Sequence, residues 1–74
     1  MDIKLFGLIA EKAGTDSVQV SAADMDGLRK ALEERIEGLA GLSYAIAVDR
    51  RIVRDNMVLG GSEEIALLPP FAGG

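Results

Sequence analysis

Asp24-Met25-Asp26-Gly27-Leu28-Arg29-Lys30-Ala31-Leu32-Glu33-Glu34-Arg35-Ile36-Glu37-Gly38-Leu39 is the stretch whose pattern decides the fold. Met25, Leu28, Leu32, Ile36 and Leu39 recur at spacings of three and four, which places them on one stripe of an α-helix. Arg29, Lys30, Glu33, Glu34 and Glu37 fill the rest of its surface and read most simply as a solvated face. Asp24 is placed to cap the N-terminus, because its carboxylate can accept an otherwise unpaired backbone N–H, and Asp26 adds favourable charge at the same end. Gly27 weakens the first turn by about 1 kcal/mol relative to Ala. Gly38 is the predicted stop, with Leu39 folding back onto the last turn.

On either side of this helix the period changes from 3.6 to 2. Asp2-Ile3-Lys4-Leu5-Phe6 puts Ile3 and Leu5 on one face and Lys4 and Phe6 on the other, as a strand does. Ile9 to Ala13 makes one or two helical turns ended by Gly14, Thr15-Asp16 turns the chain, and Val18 and Val20 alternate in a second strand antiparallel to the first. Beyond the helix, Tyr44 to Val48 alternates, Asp49-Arg50 reads as a tight turn, and Arg51-Ile52-Val53 forms a short partner strand. Glu63 to Leu68 is a last strand, ended by Pro69-Pro70, which have no N–H to give a ladder. One helix is thus available to cover one face of one sheet: an α+β sandwich, with four to five strands on one main helix.

The chain has 74 residues, enough for one core, and we expect one domain over 1–74 with a tail from about residue 69. Its 49% hydrophobic content is spread along the whole length, a globular composition. No apolar run approaches the ~20 residues that span a bilayer, so the expected location is cytoplasmic, with no membrane partner. There is no Cys and no His, which removes disulfides, thiolate or imidazole metal sites, and the Cys-His and Ser-His-Asp arrangements of nucleophilic catalysis. The chain is therefore expected to be a non-catalytic component with no bound cofactor and no metal. A net charge of −4 argues against nucleic acid, whose phosphates call for Lys and Arg.

The chain's last residues are Leu67-Leu68-Pro69-Pro70-Phe71-Ala72-Gly73-Gly74. Together with the Lys4-Leu5-Phe6 strand, Gly14-Thr15-Asp16, the Leu28 helix and Ala47-Val48, this Pro-Pro-x-x-Gly-Gly element resembles the MoaD family, the small sulfur-carrying subunits of molybdopterin synthase. The resemblance implies a ubiquitin-like β-grasp with a mixed sheet. It implies that the Gly74 carboxylate is adenylated by a ubiquitin-activating-type enzyme at the expense of ATP. It implies conversion to a thiocarboxylate by a sulfur donor protein, and delivery of that sulfur to a pterin precursor in the large subunit. Ala10-Glu11, Asp49 and Gly61-Ser62-Glu63-Glu64 depart from the family's usual residues, all in turns and surface positions.

The tail suits this chemistry on physical grounds. A terminal carboxylate with a pKa of about 3.5 is ionised and inert at neutral pH until it is activated. Ala72, Gly73 and Gly74 carry almost no side-chain bulk, and the four residues from Phe71 extend roughly 13 Å, enough to thread into a partner's active site. Pro69-Pro70 hold the base of the tail extended.

If Ile3, Leu5, Ile46, Val48, Ile65 and Leu67 face the helix, the opposite face carries Lys4, Phe6, Ala45, Ala47, Glu64, Ala66 and Leu68, an apolar surface for a solvated sheet. Phe6, Ala47, Ala66 and Leu68, continuing into Pro69, Pro70 and Phe71, are the candidate docking residues for the activating enzyme and the large subunit. Phe6 has a second reading, as a core residue turned inward by a bulge. Arg50, Arg51 and Arg54 read as a solvated hairpin edge. Three other functions stay open: a ThiS-like carrier for thiazole synthesis, a ubiquitin-like modifier joined to lysines through Gly74, and an interaction module with an inert tail.

Overall fold

The computed structural model describes residues 1–69. The chain forms β1 (Asp2–Leu5), α1 (Gly7–Ala13), β2 (Ser17–Gln19), α2 (Met25–Arg35), a 3-10 turn (Leu39–Gly41), β3 (Ala45–Val48), β4 (Arg51–Val53) and β5 (Ile65–Leu68). The five strands form one mixed sheet in the order β2-β1-β5-β3-β4. β1 pairs antiparallel with β2 and parallel with β5, and β3 pairs antiparallel with both β5 and β4. The first and last strands are therefore neighbours at the centre of the sheet, and the chain leaves β5 between β1 and β3.

The inward residues are those that alternation assigns. Ile3, Leu5, Ile46, Val48, Ile65 and Leu67 are all buried, and they pack with Met25, Leu28 and Leu32 of α2. Asp24 caps α2 by accepting from the Gly27 amide at 2.8 Å. A Cβ on Gly27 would lie 3.0 Å from that carboxylate oxygen, so the glycine that lowers helix propensity also leaves the cap its room.

The helix ends earlier than its stripe predicts. Ile36, with φ −108° and ψ 108°, has already left it, and Gly38, at φ 86°, turns the chain into the 3-10 segment. Ile36 and Leu39 nevertheless reach the core. The apolar spacing was thus a sound guide to burial but not to the helix boundary, because a turn through a positive-φ glycine also delivers Leu39 inward. At the other end, the segment after β4 is zipped onto the start of α2. Asp24 and Val58 form an isolated antiparallel bridge, Met25 N donates to Met57 O at 2.9 Å, and Leu59 N donates to Ala23 O at 2.8 Å. The Asn56 side chain accepts from Asp26 N at 2.9 Å, so two side chains satisfy the first turn. Leu59 fills the core from this loop.

The β3–β4 hairpin turns on Asp49 and Arg50, both at positive φ, 50° and 70°. These are the backbone angles of a two-residue turn whose twist matches the strands. Asp49 tolerates the left-handed region, and its carboxylate accepts from Glu64 N at 3.0 Å while its own N–H donates to Glu64 O at 2.8 Å, tying the turn to the entry of β5.

Candidate functional site

The register brings the outer face of the sheet together as rows. Lys4 lies opposite Ala66, Ala66 opposite Ala47, and Ala47 opposite Ile52, a row that crosses β1, β5, β3 and β4. A second row pairs Leu68 with Ala45, and Phe6 follows Leu5 beside it. No described helix covers this face, since α2 packs on the other side. Phe6 and Ile52 stand 47% and 50% exposed, large apolar side chains with no internal partner to account for them.

Phe6 does not turn into the core. β1 ends at Leu5, and Phe6 becomes the extended N-cap residue of α1, with φ −129° and ψ 153°. Ala66 and Leu68 are half-buried on the outer face. Ala47 lies in the same row but is only 8% exposed, because Ala66 and Ile52 flank its small side chain. It shapes the floor of the face more than it offers contact area. Pro69 is half-buried against α1: a Cβ at Gly7, which has φ 54°, would come within 3.1 Å of Pro69 Cγ. The bare Cα of Gly7 is thus where the root of the tail packs. Pro70, Phe71, Ala72, Gly73 and Gly74 lie outside the described residues.

Sequence reasoning overlooked Ile52 as part of this face, although the signal was present. A two-residue turn at Asp49-Arg50 pairs Val48 with Arg51 and Ala47 with Ile52, so Ile52 must share the face of Ala47.

The charged groups around the face are mostly solvated. Arg50, Arg51 and Arg54 are exposed, and the single ion pair among the described residues, Arg50 to Glu64 at 3.7 Å, joins two exposed side chains and contributes about 0–1 kcal/mol. Glu34 and Glu37 are solvated, as a polar helix face requires. Glu33 is the exception and corrects that reading: its carboxylate accepts from the Tyr44 hydroxyl at 2.7 Å. The Arg29 guanidinium sits 5.3 Å from the centre of the same ring. Burial and the bond to Glu33 push the Tyr44 hydroxyl up to about 12, against the opposing pull of Arg29. Glu63 is held below the usual carboxylate range because it accepts the Gly60 and Gly61 amides at 2.7 and 2.8 Å. Among the described residues there is no group of acidic side chains able to hold a metal, and no helix long and apolar enough to cross a membrane.

An uncovered apolar sheet face thus borders the point where the chain leaves β5 at Pro69. The model of the ThiS family matches residues 3–74. The chain belongs to the ThiS family. Among solved structures it is similar to subunit 1 in the protein–protein complex of subunits 1 and 2 of molybdopterin-converting factor from Helicobacter pylori 26695. The two are 29% identical with a TM-score of 0.73, over 99% of this chain and 96% of that one. It is also similar to SAMP1 from Haloferax volcanii, at 29% identity and a TM-score of 0.65, over 99% of this chain and 97% of that one. Curated protein sequences give no match. The mixed sheet with its central parallel pair is thus the ubiquitin-like β-grasp, as the MoaD resemblance implied, and this ThiS-family domain is of the ThiS/MoaD-like type.

Proposed function

We propose that this protein is the sulfur carrier of molybdenum cofactor biosynthesis, a non-catalytic subunit that docks on a molybdopterin synthase large subunit and presents Gly74 there. One observation carries the reading. The parallel pairing of β1 with β5 brings the chain out at Pro69, beside Phe6 and Gly7, on the rim of an uncovered apolar face. A protein that covers that face receives whatever follows residue 69. The likeness to one subunit of a two-subunit molybdopterin-converting factor supports a large-subunit partner.

In this scheme a Gly74 carboxylate oxygen attacks the α-phosphorus of ATP on the activating enzyme, forming a P–O bond as pyrophosphate leaves. Hydrosulfide, delivered by the donor protein at the oxidation level of sulfide, then attacks the acyl carbon; a C–S bond forms, the C–O bond breaks, AMP departs with the electron pair, and the thiocarboxylate remains on Gly74. The thiocarboxylate sulfur then displaces an oxygen leaving group from a carbon of the pterin precursor, a C–S bond forming as that C–O bond breaks. Water cleaves the acyl C–S bond to restore the Gly74 carboxylate and leave the sulfur on the pterin. This chain supplies the reactive carboxyl group, the slim tip of Ala72, Gly73 and Gly74, and the docking contacts of Phe6, Ile52, Ala66 and Leu68. Pro69, Pro70 and Phe71 form the stem and its anchor. The catalytic groups belong to the partners.

The family match favours one second reading, a carrier that hands the same thiocarboxylate to thiazole synthesis. Conversion of the pterin precursor by thiocarboxylated protein plus the large subunit separates the two. Turnover that is lost on deletion of Gly74, in a variant that remains folded, fits the proposal. Sulfur transfer only to a thiazole synthase would replace it.

A further inference from the structure

The end of the sheet from which the tail departs holds a second feature, which the carrier chemistry does not use. β4 stops at Val53, opposite Ile46, while β3 begins one residue earlier at Ala45, opposite Leu68. The step between the strand ends opens a cleft of about 310 Å³ lined by Arg29, Tyr44, Ala45, Ile52, Val53 and Arg54. Ala45 and Ile52 belong to the outer face, so the cleft continues the proposed docking surface around the edge of the sheet. Its volume sits at the lower limit of roughly 300–1,000 Å³ for ligand pockets, which suits a partner side chain or two more than a cofactor.

The charge of the cleft runs against that of the molecule. The chain is −4 overall, yet the cleft is lined by two guanidiniums and no carboxylate, and Arg50 and Arg51 stand along the same hairpin. Neither Arg29 nor Arg54 forms an ion pair among the described residues. Arg29 lies over the Tyr44 ring, and Tyr44 is pinned by Glu33, so this guanidinium is held in place before anything binds. An apolar floor of Ala45, Ile52 and Val53 beneath two cations strengthens a charge-assisted bond to an incoming anion, because partial desolvation lowers the screening.

We propose that this cleft receives an acidic side chain, Asp or Glu, from the large subunit that covers the outer face, and that Arg54 and Arg29 set the orientation in which the tail enters its partner. This inference rests on the docking reading above and adds a polar specificity contact to an otherwise apolar face. Carboxylates meeting Arg at the edge of an apolar interface steer association and reject wrong partners more than they add affinity.

The test is titration of the large subunit from the same organism by calorimetry, at low and at high salt, with wild type, Arg54→Gln, Arg29→Gln and Phe6→Asp. Lys12→Gln removes an equal charge outside the cleft. Arg54→Gln is expected to weaken binding about tenfold at low salt and to flatten the salt dependence, while Lys12→Gln leaves both nearly unchanged. Arg29→Gln should act in the same direction, with circular dichroism showing the fold retained. If Phe6→Asp abolishes binding but both arginine variants match wild type in affinity and salt slope, the docking face stands and the cleft proposal is overturned. If wild type itself does not bind, the docking reading fails and the cleft proposal fails with it.

Discussion

Truncation of Phe6 separates docking from folding. Phe6 is 47% exposed and makes no part of the buried cluster. For a phenylalanine that contributes roughly 200 Å², about 90 Å² remains to be removed from water by a partner. At about 25 cal/mol per Å² that area is worth about 2 kcal/mol, or roughly thirtyfold in affinity. Phe6→Ala should therefore weaken binding to the large subunit by up to that factor, measured by calorimetric titration. Its urea midpoint should change little, because the half of the ring that is covered lies at the sheet margin. The opposite pattern, a twofold or smaller change in Kd with a large fall in stability, would refute the assignment of Phe6 to the interface and make it a structural residue.

Three further predictions concern the scaffold. Asp24→Ala removes the acceptor of the 2.8 Å bond from Gly27 N and should cost about 1 kcal/mol in chemical denaturation, with Asn56 still holding Asp26 N. The Tyr44 hydroxyl has a pKa of about 12 folded and about 10 unfolded, so its contribution is complete below the unfolded value and is lost as pH rises from 10 towards 12. Tyr44→Phe should flatten the fall of melting temperature across that alkaline window. Glu63 has a lowered pKa, so its contribution is present above the unfolded carboxylate value and disappears as pH falls through the folded one. Glu63→Gln should reduce the acid dependence of stability, read by thermal melts from neutral pH downward.

Much of this architecture was legible in local pattern. Ile3 and Leu5, Ile46 and Val48, and Ile65 and Leu67 each announce an inward face at period 2, and all six are buried. Asp24, Gly14 and the Asp49-Arg50 turn could be read because each acts on backbone within a few residues of itself. What escaped notice depends on contacts far apart in sequence. Asn56 reaches the α2 amide 30 residues before it. Leu59 ends the short apolar run Met57-Val58-Leu59 before Gly60-Gly61, and no periodicity marks it, rather than its two exposed neighbours, as core. Glu33 looked like one of three solvated acids until the fold set Tyr44 beside it. At the candidate site, Phe6, Ala66 and Leu68 stand on the outer face that alternation gave them, whereas the low exposure of Ala47 follows from its neighbours across the ladder. The cleft between Arg29 and Arg54 is wholly tertiary, since one arginine stands on α2 and the other just beyond β4, and only the packing of helix against sheet brings them to one opening.

Whether Gly74 carries sulfur is read out by intact-mass spectrometry. Protein ending at Gly74 is incubated with its adenylating enzyme, ATP and a sulfur donor protein, then weighed whole. Replacement of a single oxygen by sulfur is expected, located at the terminal carboxyl group by fragmentation and absent when Gly74 is deleted. An unchanged mass under conditions where the enzyme consumes ATP with this protein, or heavier adducts linked to lysines in place of the sulfur exchange, would contradict it.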